Sequence, residues 1–343
     1  MNREFARLKR RDFLRLACVS GLGLAIPLAE LSKISGSDRR QVEARRSINA
    51  LGTTVTITVE DDSSPARAEA GIADAFTKIR ELEAELTRFQ SSSQVYRLNK
   101  SGQLKAPTPE LVEVFRKAQY FSDRTDGAFD ITVEPALNLL LSCLVGSSLP
   151  SDAEFEAARR LIDFEQFSVT NNVVTFGKPG MGVTLDCIGK GRILDKAAER
   201  LREHGVRSAL IQGGGTLVAI GAKLDGSPWR IGIRDPENPS GVVGAISLVD
   251  CAVATSGDYE NFFSPDRCYY HIIDPMTARS PLYSHSATVT APTAAEADPL
   301  GVALMVKEPR EGLKLLEGFE GYECLIVTRD GRLVSSNGFG VIS

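Results

Sequence analysis

Thr184-Leu185-Asp186-Cys187-Ile188-Gly189-Lys190-Gly191 is the stretch at which the chain changes character. Thr184 to Ile188 reads as a strand and Gly189-Lys190-Gly191 as a glycine turn, after which Ile193, Leu194, Ala197 and Leu201 recur on one helix face. Gly205 closes that helix, Ala209-Leu210-Ile211 makes the next strand, and Gly213-Gly214-Gly215-Thr216 makes a second glycine turn. Strands and turns dominate from there to Asp274. A capping box, Thr293-Ala294-Ala295-Glu296, then opens a helix after the strand Ala287 to Ala291 and places Asp298 in its first turns. Asp330-Gly331 marks a last hairpin.

Upstream, Thr54 to Val59 alternates with period two, as a strand does. Ser64-Pro65 starts a helix whose buried stripe is Ile72, Phe76, Ile79, Leu82 and Leu86, ending near Arg88-Phe89. Thr108-Pro109 starts another, with Leu111, Phe115 and Ala118 inward, and Asp126-Gly127 ends it in a turn. Ser151-Asp152-Ala153-Glu154 is a capping box, and Val169 to Val174 looks like a hairpin. The alternation is too irregular for a doubly wound sheet, so the fold class is α+β.

The first residues carry a different signal. Arg10-Arg11 precedes the apolar run Leu16 to Leu28, which is too short to span a bilayer but right for a signal peptide of the twin-arginine type. Cleavage is expected near Ala29. Cys18 sits early in the apolar run, where lipid attachment is disfavoured. The organisation is therefore a leader at 1–29, a polar linker at 30–46 and one domain over 47–343.

Hydrophobic residues at 43% and a net charge of -4 over 343 residues describe an ordinary globular chain, with no excess of cations to neutralise a nucleic acid. The six cysteines show no CxxC and no metal-ligand spacing, which makes a disulfide framework improbable and leaves room for a single bond. No nicotinamide fingerprint is present, and nothing points to haem or Fe–S ligation.

Candidate chemistry is sparse. The glycines at 213–215 leave main-chain N–H groups open to a phosphate or a flavin ring, or simply make a tight turn. Lys190 at a helix start suits a pyrophosphate, or is a solvated lysine. By alternation Tyr269, His271 and Ile273 share a strand face, so His271 is either a base beside an apolar pocket or a structural histidine. Asp298 lies in a small, apolar stretch, where a carboxylate requires a cation or a capping role. Asp126, Asp258 and Asp274 adjoin Gly or Pro and default to turns, and Asp130 to a strand edge.

The order of these segments is more specific than any one of them. Asp126-Gly127-Ala128-Phe129-Asp130-Ile131-Thr132-Val133, Leu185 to Gly191, Gln212 to Gly215, Ala254-Thr255-Ser256-Gly257-Asp258-Tyr259, His271 to Pro275 and Ala291 to Asp298 together resemble the FAD:protein FMN transferases of the ApbE family. The resemblance runs from about Leu51 to the C-terminus. The leader and the Thr184-Leu185-Asp186 wording are similar to the NosX-like members that serve respiratory flavoproteins.

The resemblance implies a T-fold-like architecture of mixed or antiparallel sheets with packed helices. It implies FAD as substrate in a cleft, a divalent cation, usually Mg²⁺, on the pyrophosphate, and attack by a target threonine on the FMN phosphorus with AMP leaving. The partner would be a flavoprotein of a membrane respiratory or electron-transfer system, met in the periplasm, free or at the membrane. Leu51, Phe89, Ala128, Phe129, Asp130, Thr184, Lys190 and Ile273 would line the FAD site, some through main-chain atoms. Asp298 would face the cation through its carboxylate, and Cys187 and Gly301 through carbonyls. His271 would be the base.

Two positions depart from the family pattern. Thr184 stands where an acidic residue is expected, with Asp186 close by, and Val302 stands where a ligating threonine is expected. Two other functions stay open at this point: a flavin carrier or electron-transfer protein that has lost transfer, and an FAD pyrophosphatase in which water replaces the protein hydroxyl. Oligomeric state is not legible.

Overall fold

The computed structural model describes residues 42–61, 64–143 and 149–340. The leader with Arg10, Arg11, Cys18 and Ala29 and the linker up to residue 41 lie outside them. The rest of the expected linker is structured: Val42–Ala50 forms strand β1 and pairs antiparallel with β2, Thr53–Asp61. In β2, Val55, Ile57 and Val59 are buried, as its period-two pattern requires.

An eight-stranded sheet organises the molecule, in the order β1, β2, β6 (Ala209–Gly213), β7 (Thr216–Ile220), β10 (Ala252–Gly257), β11 (Ser284–Ala291), β12 (Glu323–Thr328) and β13 (Leu333–Ser335). Two small sheets accompany it, β3 (Gln103–Lys105), β5 (Val173–Phe176) and β4 (Phe167–Val169) in one, and β8 (Trp229–Arg234) with β9 (Val242–Leu248) in the other. Every pairing among the described residues is antiparallel, so the α+β class holds and the mixed-sheet option falls.

Helices cover one face of the large sheet. Helix α1 (Pro65–Leu86) starts at Ser64, whose side chain accepts from the Arg67 N–H, and buries Ile72, Ile79, Leu82 and Leu86. It ends at Leu86, just short of Arg88-Phe89. Helices α2 (Gln94–Ser101) and α3 (Pro109–Arg124) follow, the latter capped by Thr108. Then come α4 (Glu134–Cys143) and α5 (Asp152–Arg159), the latter with the full Ser151–Glu154 capping box. Helices α6 (Gly189–Glu203), α7 (Ala294–Val306) and α8 (Pro309–Leu316) complete the set. Val55, Ile57, Ile72, Ile79, Leu194, Leu201, Leu300 and Leu304 belong to one continuous core between sheet and helices.

The opposite face of β6, β7 and β10 is covered too. Leu210, Leu217, Val253, Trp229, Ile231 and Ile246 form a second core beneath the β8–β9 ribbon. With both faces covered, β6 and β7 are buried at every residue. A third cluster packs Leu137 and Leu140 of α4 and Phe155 of α5 against Ile273 and Ala278, which anchors the loop carrying His271.

Three local expectations fail. Residues 184–188 are not a strand but an extended segment closing in a turn, and Gly189-Lys190-Gly191 is the first turn of α6 itself. The main chain of Val183 is instead paired on both sides with the Asn99 amide, at 2.8 and 2.8 Å, and the Thr184 N–H donates to the Ile131 carbonyl at 2.8 Å. His271 lies in an irregular loop with single bridges at Phe262–Tyr270 and Asp274–Arg279, so alternation does not apply to it. Thr293 makes no side-chain cap at α7.

Candidate active site

The candidate residues gather around the N-terminus of α6. Lys190 is its second residue, and the Lys190 ammonium would lie 3.9 Å from a side-chain carbon at Gly214, so it rests against the β6–β7 glycine turn. Gly214 takes φ 61, a left-handed conformation that a side chain would strain, and lets the two-residue turn close. The β1–β2 turn is adjacent through Thr53, with Leu51 at φ 57 donating its N–H to Glu83 at 2.6 Å.

Asp298 lies one turn into α7 and is only 5% exposed. Its Oδ1 accepts the Thr216 hydroxyl at 2.8 Å, whereas its Oδ2 is buried without a partner. Burial raises its pKa, opposed first by Lys190 and then by Thr216 and the Gly191 N–H. Gly301, on the next turn, is pressed against β10: a side-chain carbon there would fall 3.0 Å from the Ser256 hydroxyl. Val302 is buried in the main core. Cys187 is a free thiol pushed up to about 12 by burial and by Asp186 and Asp298, so it is no thiolate, and only its carbonyl is suited to a hard cation.

His271 is partly exposed, but its Nδ1 is enclosed without a partner. Burial, with Lys190 second, lowers its pKa to about 4, which leaves a neutral imidazole at pH 7. Phe89 is 50% exposed beneath the Arg88 guanidinium, which stacks 4.3 Å from the ring centroid. Arg88 in turn reaches Asp186 at 3.1 Å and Asn138 at 3.0 Å, joining Phe89 to the turn that precedes Lys190. Asp186 lies beside Thr184, whose hydroxyl accepts the Asp186 N–H at 3.3 Å.

Other expected lining residues contribute differently. Ala128, Phe129 and Ile273 have buried side chains in the two cores, so only their main chain is available to a ligand. Asp130 is no strand-edge carboxylate. It caps the short turn Ile131–Val133, accepting the Thr132 N–H and hydroxyl at 2.7 and 2.7 Å, and burial pushes it up to about 6. Asp258 is no simple turn residue: fully buried, it accepts from His285 at 2.7 Å and Arg329 at 3.0 Å and ties the strand ends together. Cys187, Cys251, Cys268 and Cys324 are all free, so no disulfide forms among them.

Residues that the sequence reading passed over are Thr216, Arg88, Asn99 and Glu260. Thr216 was visible only as the end of a glycine turn. Glu260 lies within the field of Lys190, and burial raises its pKa against Arg234 and Lys190. Among the described residues no group of three or more His, Cys, Asp or Glu side chains could hold a metal. Asp298 offers one carboxylate oxygen, the partnerless Oδ2, which fits a hard cation that keeps several waters.

Comparison with known proteins identifies the family of the chain. The ApbE family model matches residues 51–326. The FAD:protein FMN transferase of Vibrio cholerae is 29% identical over 313 residues, spanning 89% of this chain and 93% of that protein. That of Salmonella typhimurium is 30% identical over 276 residues, spanning 76% and 78%. Among solved structures, the ApbE protein of Thermotoga maritima superposes with a TM-score of 0.77 at 29% identity, covering 86% of this chain and 97% of that one. The flavin transferase ApbE of Vibrio cholerae gives 0.77 at 28% identity, covering 87% and 98%. With a family match over most of its length and the same fold, this chain belongs to the ApbE family.

Proposed function

We propose that the chain is a FAD:protein FMN transferase that uses a divalent cation and delivers FMN to a threonine hydroxyl of a target flavoprotein. The observation that carries the cation is the Asp298 carboxylate, held by Thr216 on one oxygen and buried without a partner on the other. Asp298 with the Cys187 and Gly301 carbonyls would hold Mg²⁺. When bound, that ion would neutralise charge on the pyrophosphate.

The chain's own residues supply the remaining parts. Lys190, at a helix N-terminus beside an open glycine turn, is suited to the pyrophosphate oxygens. The exposed Phe89 face, backed by Arg88, is suited to an aromatic ring of FAD. The threonine oxygen attacks the FMN-side phosphorus, the bond to the AMP oxygen breaks, and AMP leaves with that electron pair. The hydroxyl proton passes to His271, whose low pKa keeps it free to accept.

Arg10-Arg11 ahead of an apolar run supports export by the twin-arginine route and a periplasmic site of action, with a respiratory flavoprotein as target. The test is to incubate the purified protein with FAD, Mg²⁺ and a domain bearing an accessible threonine, and then weigh the products. Covalent FMN on the acceptor with AMP released is the expected result. Free FMN with AMP would make water the acceptor, and intact FAD would make the protein a carrier.

A further inference from the structure

Helix α7 begins without help from its own sequence. Thr293, at the capping position, makes no side-chain bond to the helix, and its hydroxyl is buried without a partner. The first N–H groups are satisfied from another element: Asp195, in the middle of α6, accepts the Ala294 N–H on Oδ1 at 2.9 Å and the Ala295 N–H on Oδ2 at 2.9 Å. The two helices meet main chain to main chain, since a side-chain carbon at Gly191 would fall 2.4 Å from the Ala294 carbonyl oxygen.

The contact runs from one helix to the other: Asp195 of α6 meets the first N–H groups of α7, which begin four residues ahead of Asp298. Pro299 gives the outside clamp more weight. It has no N–H to return to the Ala295 carbonyl, so the turn that ends at Asp298 is less firmly tied to the rest of its helix. Around it, α3 supplies Lys117 to Glu296 at 3.1 Å and Glu110 to Arg192 at 2.7 Å, and both cations favour the charged form of Asp195.

We infer that Asp195 is a positioning residue for flavin transfer: by clamping the first turn of α7 onto α6 it sets Asp298 against Lys190 and the glycine turn. The inference rests on the cation reading only in its choice of probe. A carboxylate is required because two N–H donors must be met at once, and an amide offers one acceptor oxygen in their place.

The experiment compares the full-length protein, Asp195→Asn and, as a control for lost stability, Leu201→Val, a core change further along α6. Mg²⁺ is titrated in the presence of FAD, and the rise in melting temperature is read alongside kcat and KM for FAD. Asp195→Asn should need about ten-fold more Mg²⁺ for half of the thermal shift, the weight of one charge-assisted hydrogen bond, and should lose about ten-fold in kcat with KM for FAD within about two-fold. Leu201→Val should lower the melting temperature and leave the Mg²⁺ midpoint and kcat near those of the parent. If Asp195→Asn behaves as Leu201→Val does, Asp195 only holds the fold and the inference is overturned. If the parent shows no Mg²⁺ response, the cation reading fails separately, and Asp195 is judged on kcat: a ten-fold loss sustains it and an unchanged value removes it.

Discussion

Thr216 on β7 donates its hydroxyl to Oδ1 of Asp298 on α7 at 2.8 Å, across 82 residues of sequence, and leaves Oδ2 as a buried acceptor with nothing to accept. An unsatisfied buried carboxylate oxygen costs about 1–3 kcal/mol or more, a cost that the proposed cation would offset. Asp298→Ala should abolish Mg²⁺-dependent transfer while the protein stays folded. Full turnover of that variant without metal would refute the cation mechanism. Thr216→Val, which removes the donor but keeps the shape, should weaken Mg²⁺ response less than Asp298→Ala does, as read in a metal titration.

Val302 follows Asp298 by one helical turn and is buried in the main core. Threonine has nearly the same shape, so Val302→Thr adds a hydroxyl where the family pattern places a ligand. The expected outcome is a lower Mg²⁺ concentration for half-maximal transfer, with stability little changed. Coincident titration curves for two active proteins would mean that position 302 does not face the ion.

His271→Gln should keep FAD binding and slow transfer by about 10²–10⁴, the usual weight of one general base. The parent's transfer should hold its rate down to about pH 5 and fall as the imidazole protonates near 4. Stability carries the same signature. Between the unfolded value near 6.5 and the folded value of about 4, the unfolded chain binds more protons, so His271 weakens the fold as pH drops through that window. Urea midpoints at pH 7 and pH 5 should therefore differ more for the parent than for His271→Gln, and equal differences would count against a buried neutral imidazole.

Phe89→Ala removes an exposed ring that no core requires. A base–aromatic stack is worth about 1–3 kcal/mol, so KM for FAD should rise by about five-fold or more with the melting temperature unchanged. An unaltered KM would move the flavin or adenine ring elsewhere.

The proposed export route depends on Arg10 and Arg11. Changing both to Lys should hold the protein in the cytoplasm with its leader attached, as fractionation and intact mass would report. Arrival of the doubly changed protein in the periplasm would rule out the twin-arginine route.

Local periodicity was enough to read α1, α3, the Ser151 capping box, the alternation of β2 and the hairpin at Asp330-Gly331, because each depends on contacts within a few residues. Motif order was enough to identify the family, and the same resemblance supplies Lys190, His271 and Asp298 as candidates. What the chain in isolation left undecided are pairings between distant segments. Residues 184–188 look like a strand, but Thr184 takes its main-chain partner from Ile131 and Val183 before it from the Asn99 side chain, so no ladder forms. Thr293 looks like a cap, yet the α7 N–H groups are met by Asp195, about a hundred residues earlier in the chain. Thr216 looks like the end of a turn and becomes the partner of Asp298. The physical reason is the same in each case: a polar group excluded from water must find a partner, several candidates satisfy it equally well locally, and packing of the two helices on the sheet decides which one lies within reach.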